Sequence, residues 1–421
     1  MKTAEWRVVL GSKRFRELLA VRLVGQFCDG LFQASLSSFI LFSPERQSDA
    51  LGIALAFALI YIPYTFVGPF VGVFLDRWRR RQVLLYGNII RGLIVVYIAW
   101  LTSNGSSGIA LAVAVLIALG INRFVLAGLS ASLPHTVDKR VLVTANAYSP
   151  TAGTIFAAIG GVFGFALLQT LGGGDSASTT LLIACAMIFA ASGLLALRMP
   201  KNLLGPDDSE PRDTIGSVVR GLIDGSNALT SHKPAFRAVT VTALHRVALG
   251  AATLTGIMII RNTLSPDNAT QAVSLTGLVL AAAGFGALIG AICSPRMVRR
   301  IGAVKWTSIV FIGAGIVTGL GLAIHSLTAL MIGGAAIGMA GQVAKICADT
   351  AVQSDLTDEY RGRVFTLYDI AVNLGLTAGV AIVALTLPAS GVSIVAAIGT
   401  GVFLVVVGLI YSRSKAQLIR Q

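Results

Sequence analysis

The stretch Gly72-Val-Phe-Leu-Asp76-Arg77-Trp-Arg79-Arg80-Arg81 lies between two long apolar runs. One run ends near Leu75 and the next begins near Val83, so only a tight turn fits between them. Such a turn joins two antiparallel membrane helices at one face of the bilayer, and its four arginines predict that this face is cytoplasmic. The topology does not require Asp76. An acid beside arginines at a helix end indicates a charge pair.

The composition excludes a soluble protein. Of the 421 residues, 55% are hydrophobic and only 12% are charged, with a mean hydropathy of +0.80. Soluble domains carry about 25% charged residues, so most of this chain must lie in lipid. The net charge of +14 would suggest a nucleic-acid partner for a soluble protein. Here the basic residues cluster in the loops between apolar runs, so we expect no nucleic-acid binding.

A spanning helix needs about 20 apolar residues, and runs of that kind recur along the whole chain. Twelve such runs cover residues 18–42, 51–75, 83–102, 108–131, 144–171, 179–199, 236–260, 273–294, 305–325, 328–351, 364–388 and 391–411. Each run must be a helix, because lipid offers backbone groups no partners and the runs are too long for barrel strands. The predicted fold class is therefore an all-α membrane protein with twelve transmembrane helices.

The distribution of Lys and Arg predicts the orientation of these helices. Of the 33 basic residues, 26 lie in the two tails and the loops on one side, whereas only Arg46 and Arg261 lie in loops on the other. Basic loops remain in the cytoplasm. We therefore predict that both termini are cytoplasmic.

The chain consists of two halves that repeat one another. The arginines Arg77, Arg80 and Arg81 reappear with the same spacing as Arg296, Arg299 and Arg300, after the second span of the second half. A charged turn at Asp138 reappears at Asp358, before the fifth span of its half and at almost the same offset along the chain. We predict an N-terminal six-helix bundle at residues 1–199, a cytoplasmic linker with an amphipathic helix at 200–235, and a C-terminal six-helix bundle at 236–421.

The opening stretch resembles the signature loop of the major facilitator superfamily, in which a glycine precedes Asp-Arg and further basic residues. Five positions fit that pattern: Gly72, Asp76, Arg77, Arg80 and Arg81. Two positions depart from it, because Arg79 replaces the usual glycine and Phe74 the usual leucine. The resemblance implies two pseudo-symmetric bundles related by an axis along the membrane normal.

The same resemblance implies a gate at the cytoplasmic ends of the helices. In this superfamily the acid of the loop, here Asp76, accepts hydrogen bonds from the start of the eleventh helix, here near Arg363–Phe365. Asp138 is then expected to pair with Arg80. Such contacts form only while the cytoplasmic side is closed, so they favour the outward-open state.

Ionisable residues within spans are costly in lipid and are candidates for function. Asp29 lies near the middle of the first helix, close to Gln26, and is the most central acid in the chain. His245 and Arg246 lie near the middle of the seventh helix. Both helices border the central cavity in the superfamily. We therefore predict that Asp29 and Arg246 line one cavity, with Asp29 able to accept a proton; a structural ion pair is the alternative.

Other charged positions within spans are weaker candidates. Arg123 in the fourth helix resembles a second superfamily motif, whose arginine influences proton coupling, although the spacing to the following glycine differs by one residue. Lys345 and Asp349 are four residues apart on the tenth helix, a spacing that predicts mutual neutralisation. Arg22 and Arg91 are predicted to reach the cytoplasmic face with their long side chains.

The function predicted from this pattern is secondary active transport by alternating access rather than enzymatic catalysis. No nucleotide-binding motif or metal cluster is present in the sequence, so we expect no cofactor and an ion gradient, of protons, as the driving force. The chain resembles the efflux branch that includes macrolide and enterobactin exporters, which implies export of an amphipathic small molecule.

Two alternatives to this prediction remain open. One is a transporter of lipids or lysophospholipids with an anionic headgroup, because basic residues outnumber acids within the spans. The other is a membrane sensor or scaffold that transports nothing. The expected partners are membrane lipids and the substrate, and the expected state is a monomer.

Overall fold

The computed structural model describes residues 3–36, 50–52, 54, 65, 70, 78–105, 109–205, 214–266, 268–388 and 392–414. Within these ranges the chain forms helices joined by short turns and contains no β-strand. The helices before the linker are α1 (Thr3–Gly11), α2 (Lys13–Leu36), α3 (Arg80–Ser103), α4 (Ile109–Ala131), α5 (Leu142–Thr170) and α6 (Gly174–Leu195). The linker contains α7 (Ile215–Ser231). After it come α8 (Lys233–Ile259), α9 (Ala269–Ile301), α10 (Ala303–Ala323), α11 (Leu327–Asp355), α12 (Asp358–Thr386) and α13 (Ile394–Ser412).

Ten of the described helices are long and apolar enough to cross a membrane: α3 to α6 and α8 to α13. Helix α2 overlaps the predicted first span at 18–42, of which residues 37–42 lie outside the described residues. It has 24 residues, which makes it about 36 Å long. The predicted second span, at 51–75, lies largely outside the described residues. The predicted all-α membrane fold is confirmed.

Several helices are longer than the apolar runs that predicted them. Helix α9 continues to Ile301, past the predicted end at residue 294, through Pro295 and the following arginines. Helix α12 begins at Asp358, ahead of the predicted start at 364. The physical reason is that hydropathy marks only the part of a helix that lies in lipid, whereas backbone hydrogen bonds continue into the interface.

The chain divides into two compact units, each with its own apolar core. The first contains Met1–Arg46 and Phe66–Val218, and the second contains Gln47–Thr65 and Val219–Gln421. In the first unit α2 packs on α5 and α6, and α3 packs on α4 and α6. In the second unit α8 packs on α11 and α12, and α10 packs on α11 and α13. The bundle limits given above remain predictions.

Glycines allow the close contact between α2 and α5 in the first unit. A Cβ atom at Gly30 would overlap the carbonyl oxygen of Ala157, and one at Gly160 would overlap that of Phe27. The two backbones therefore touch directly, as small residues permit in membrane helix pairs.

The same seam recurs between α8 and α12 in the second unit. A Cβ atom at Gly250 would overlap the carbonyl oxygen of Leu376, and one at Gly379 would overlap that of Val247. The four positions of this seam, Gly250, Leu376, Gly379 and Val247, correspond to Gly30, Ala157, Gly160 and Phe27 of the first seam. The two sets are separated along the chain by nearly the same number of residues as the loop arginines of the two halves. The repeat found in the loops therefore extends to the helix packing.

The predicted linker helix is observed as α7, and its buried face lies on the start of α12. Gly221, Gly225 and Leu229, which recur every four residues, form that face. The Arg363 side chain of α12 passes over Gly221 and Gly225, and its Nη1 atom lies 3.8 Å from Oδ2 of Asp224. The two glycines leave room for the arginine, so α7 is held against the second unit.

Candidate functional site

A buried ion pair joins α2 to α3 in the first unit. Nη2 of Arg91 donates to Oδ1 of Asp29 at 2.5 Å, and the two side chains are 1% and 8% exposed. The prediction that Arg91 reaches the cytoplasmic face is therefore wrong. The arginine turns into the helix bundle because an acid there compensates its charge, whereas an unpaired buried charge would be costly.

Two further groups hold the Arg91 guanidinium in place. Its Nη1 atom donates to Oδ1 of Asn122 on α4 at 3.1 Å. Its Cζ atom lies 4.0 Å from the ring centroid of Phe189 on α6, a distance at which a cation is attracted to an aromatic face. Four helices thus supply one polar centre, which we call the Asp29–Arg91 centre: Asp29, Arg91, Asn122 and Phe189.

Arg22 and Gln26 lie on the same helix as Asp29, toward its N-terminus. Arg22 is buried, and its Nη2 atom donates to Oγ of Ser130, in the last turn of α4, at 3.1 Å. Its reach to the cytoplasmic face remains a prediction. Gln26 lies directly over Gly153 of α5, where any larger residue would collide with its Oε1 atom. That oxygen is buried and accepts no hydrogen bond from the described part of the chain.

His245 lies in the interior of the second unit. It is 1% exposed, and its Nε2 atom donates to the carbonyl oxygen of Ile337 on α11 at 2.9 Å. Its ring centroid is 5.6 Å from that of Phe311. These contacts stabilise the packing of α8 on α10 and α11. Any part for His245 in a transport pathway remains a prediction.

Arg246 is half-buried on α8 and forms no ion pair with an acid in the described ranges. Tyr368 of α12 is buried, and its hydroxyl is within hydrogen-bonding reach of the Thr242 side chain. Asp349, Arg246 and Asp369 are close enough to that hydroxyl to interact with it electrostatically. We call four of these residues the Arg246 cluster: Thr242, Arg246, Tyr368 and Asp369.

Two other predictions about charges within spans have different outcomes. Lys345 and Asp349 neutralise each other as expected, with 2.6 Å between Nζ and Oδ2. Arg123 is half-buried on α4, next to Asn122, and its role in coupling remains a prediction. Because Asp29 and Arg246 belong to different units, their predicted place in one cavity also remains a prediction.

Two arginines of the opening stretch, Arg80 and Arg81, bind backbone carbonyl groups. Nη1 of Arg80 donates to the carbonyl oxygens of Ala131 and Leu204, at 3.1 and 3.3 Å, and lies 3.2 Å from Nε2 of His135. Nη1 of Arg81 donates to the carbonyl oxygen of Met199 at 3.1 Å. Carbonyl groups at helix ends lack partners within the helix and carry partial negative charge, so they attract these cations.

Of the remaining residues that were predicted to form the cytoplasmic gate, the structure describes only some. Gly72, Asp76 and Arg77 lie outside the described residues. Asp138 is described and exposed. Between Asp138 and Arg80, both of which the structure describes, the predicted ion pair does not form, because the carbonyl groups and His135 occupy the Arg80 guanidinium instead.

Reasoning from the sequence missed three members of the Asp29–Arg91 centre. Arg91 was visible as a charge and Asn122 as a polar residue within a span, but Phe189 carried no signal that set it apart from other residues of apolar runs. Asp29 and Arg91 are 62 positions apart, and no spacing rule links residues of different helices.

This arrangement defines a class of protein: a polytopic helical membrane protein built from two repeated units, the first of which contains a buried ion pair. The chain belongs to the major facilitator superfamily, whose family model matches residues 22–266. It is 32% identical over 391 residues to the uncharacterized MFS-type transporters Rv0037c of Mycobacterium tuberculosis and Mb0038c of Mycobacterium bovis. That alignment covers 92% of this chain and 88% of each relative.

Solved structures of transporters share the fold. The nucleoside transporter NupG aligns with a TM-score of 0.68 at 16% identity, over 94% of this chain and 97% of that one. A bacterial homolog of the human lysosomal transporter Spinster aligns with a TM-score of 0.64 at 14% identity, over 98% and 97%. A bacterial homologue of the iron transporter ferroportin, in its inward-facing state, gives 0.67 at 14% identity, over 94% and 98%. The protein is therefore a multi-pass membrane transporter.

Proposed function

We propose that this transporter exports an amphipathic small molecule in exchange for protons, across the cytoplasmic membrane of a bacterium and with both termini in the cytoplasm. The observation that supports proton coupling is the buried Asp29–Arg91 ion pair. A carboxylate deep in the membrane persists only with a partner or a function. The Asp29 carboxylate is paired with Arg91, and Arg91 also contacts Asn122 and Phe189.

The Asp29–Arg91 ion pair suggests how protonation of Asp29 is coupled to movement of the helices. While Asp29 is ionised, its attraction to Arg91 holds α2 against α3. A proton on the carboxylate removes that attraction, and Arg91 keeps its contacts with Asn122 and Phe189 on α4 and α6. Protonation thus changes the relative stability of two arrangements of α2. A ligand or proton shifts a conformational equilibrium only through such a difference in affinity.

A second candidate function is the movement of lipids with an anionic headgroup. The observation that favours it is Arg246, a half-buried cation that forms no ion pair with an acid in the described ranges. The adjacent Tyr368 and Thr242 hydroxyls would add hydrogen bonds to a phosphate group. In this alternative the Arg246 cluster binds the headgroup, and coupling to protons is not needed.

Purified protein in vesicles loaded with a pH-sensitive dye tests the proposal. Erythromycin serves as the amphipathic probe and lysophosphatidylglycerol as the lipid probe, each added to vesicles with an imposed pH gradient. We expect erythromycin to dissipate the gradient in vesicles with the native protein. The Asp29→Asn/Arg91→Gln variant should still exchange radiolabelled erythromycin but should leave the gradient intact.

The matched control is Lys345→Gln/Asp349→Asn, which removes an ion pair from the second unit and should keep the proton response. A normal proton response in Asp29→Asn/Arg91→Gln would exclude the pair as the coupling centre. Movement of lysophosphatidylglycerol without any proton flux would favour the second candidate. If neither probe moves while the protein binds one of them, a sensor or scaffold becomes the better explanation.

A further inference from the structure

A groove opens at the N-terminal end of α2, away from the Asp29–Arg91 centre. It has a volume of about 410 Å³ and lies where α1, α2 and the turn after α4 meet. We call it the basic groove, and its lining residues are Val8, Ser12, Lys13, Arg14, His135, Thr136, Val137, Asp138 and Val141. This volume is within the range of about 300–1,000 Å³ that is typical of ligand pockets.

Hydrogen bonds fix the walls of the basic groove. Oγ of Ser12 donates to the carbonyl oxygen of Thr136 at 2.7 Å and accepts from the backbone N–H of Phe15 at 3.3 Å. Ser12 therefore caps α2 and ties it to the opposite wall. Arg80 supports that wall through its contact with His135. The groove is thus part of the folded unit.

The charge of the groove favours an anion. Lys13 is 83% exposed and lies 4.0 Å from Glu17, so its ion pair is weak. Arg14 is exposed and forms no ion pair within the described ranges. Among the described residues of the lining, Asp138 is the single acid. The first backbone N–H groups of α2 also lie here, at the end of the helix where its dipole attracts negative charge.

We propose that the basic groove binds the headgroup of an anionic phospholipid from the adjacent membrane leaflet. From Lys13 the helix runs directly into its apolar span, which places the groove at the level of the headgroups. Val8, which is 56% exposed, supplies apolar surface at the groove, and Val141 lies buried behind it. That surface suits the glycerol and acyl portion of a lipid, whereas a free anion would gain nothing from it. Basic pockets beside membrane helices recognise such headgroups. This site is independent of the transported molecule.

Native mass spectrometry of the full chain in neutral detergent, titrated with phosphatidylglycerol and phosphatidylcholine, tests the proposal. We expect tighter binding of phosphatidylglycerol. The Lys13→Gln/Arg14→Gln variant should bind it roughly 25-fold more weakly, at about a fivefold loss for each cation near a lipid headgroup. Asp138→Asn should strengthen binding, because it removes the acid from the groove.

The control variant Arg198→Gln/Lys201→Gln removes two exposed cations of the same unit that do not line the groove, and should change the affinity little. A second readout is the rise in melting temperature on addition of phosphatidylglycerol, which should disappear only in the Lys13/Arg14 variant. Equal affinity for the two lipids, or unchanged binding in that variant, would overturn the proposal. Displacement of the lipid by millimolar inorganic phosphate would show a site for free anions instead.

Discussion

Asp29 and Arg91 show what a buried charge requires from its neighbours. The carboxylate lies on α2 and the guanidinium on α3, and Asn122 and Phe189 complete the surroundings of the cation. A buried ion pair adds little net stability, because desolvation offsets the attraction, but removing one partner is strongly destabilising. Net stability alone therefore does not account for the pair, which is consistent with the proposed role in coupling.

A double-mutant cycle separates these two roles. Asp29→Asn leaves Arg91 buried without its acid, which should cost about 3–5 kcal/mol of stability and lower the melting temperature in detergent. Asp29→Asn/Arg91→Gln removes both charges and should recover most of that loss while staying uncoupled in the vesicle assay. The reference cycle is Lys345→Gln/Asp349→Asn, an exposed pair for which about 0–1 kcal/mol is expected. Equal destabilisation by the single and double variants would contradict the coupling of the two charges.

Arg80 illustrates how a loop residue obtains its partners. From the sequence it looked like the partner of Asp138, yet it donates to carbonyl oxygens at the ends of two segments and contacts His135. The carbonyls at helix ends lack partners within their own helix. A long cation within reach of several of them satisfies more groups than a single exposed acid would.

At the scale of the helices, glycine positions decide which pairs approach most closely. Gly30 and Gly160 allow α2 to touch α5, and their counterparts in the second unit allow α8 to touch α12. Glycine normally weakens a helix by about 1 kcal/mol relative to alanine. In these seams direct backbone contact compensates that loss, since a Cβ atom would force the helices apart.

The substitution of glycine by alanine at matched positions tests this explanation. Gly160→Ala and Gly379→Ala place a methyl group against a carbonyl oxygen of the facing helix. Overpacking of this kind typically costs about 1–3 kcal/mol, so both variants should melt at lower temperature and give less folded protein. Gly284→Ala and Gly399→Ala meet no atom within 4 Å and should be neutral or stabilising. Four indistinguishable melting temperatures would show that the seams are not under steric constraint.

At the scale of the whole molecule, the bias of basic residues toward one set of loops predicts the orientation. Helix α6 offers a direct test because both of its ends are described, with Ser176 exposed near one end and Lys201 exposed beyond the other. Its 22 residues make it about 33 Å long, enough to cross the membrane.

A membrane-impermeant maleimide applied to intact cells distinguishes the two ends of α6. We expect Ser176→Cys to react from outside and Lys201→Cys to react only after the membrane is permeabilised, because basic loops stay in the cytoplasm. The unmodified chain is the control, since Cys28, Cys185 and Cys347 are buried and Cys293 is half-buried. Reaction of Lys201→Cys in intact cells would reverse the predicted orientation.

The sequence by itself determined the helical membrane fold, the family and the repeat. Runs of about 20 apolar residues can only be spanning helices. The opening stretch and its copy at Arg296–Arg300 indicated the superfamily and the two halves. Nearly the same offset relates Gly30 to Gly250 and Gly160 to Gly379, so the repeat in the sequence is also a repeat in the packing.

Only the tertiary structure decided which charges meet. Asp29 pairs with Arg91 of its own unit, and Arg80 binds carbonyl groups instead of Asp138. The physical reason is that a helix that is apolar on all sides gives no sign of which face turns inward. The partner of a buried charge then depends on how each helix is rotated and how closely its neighbours approach. Packing sets both quantities, and the spacing of residues along one helix does not reveal them.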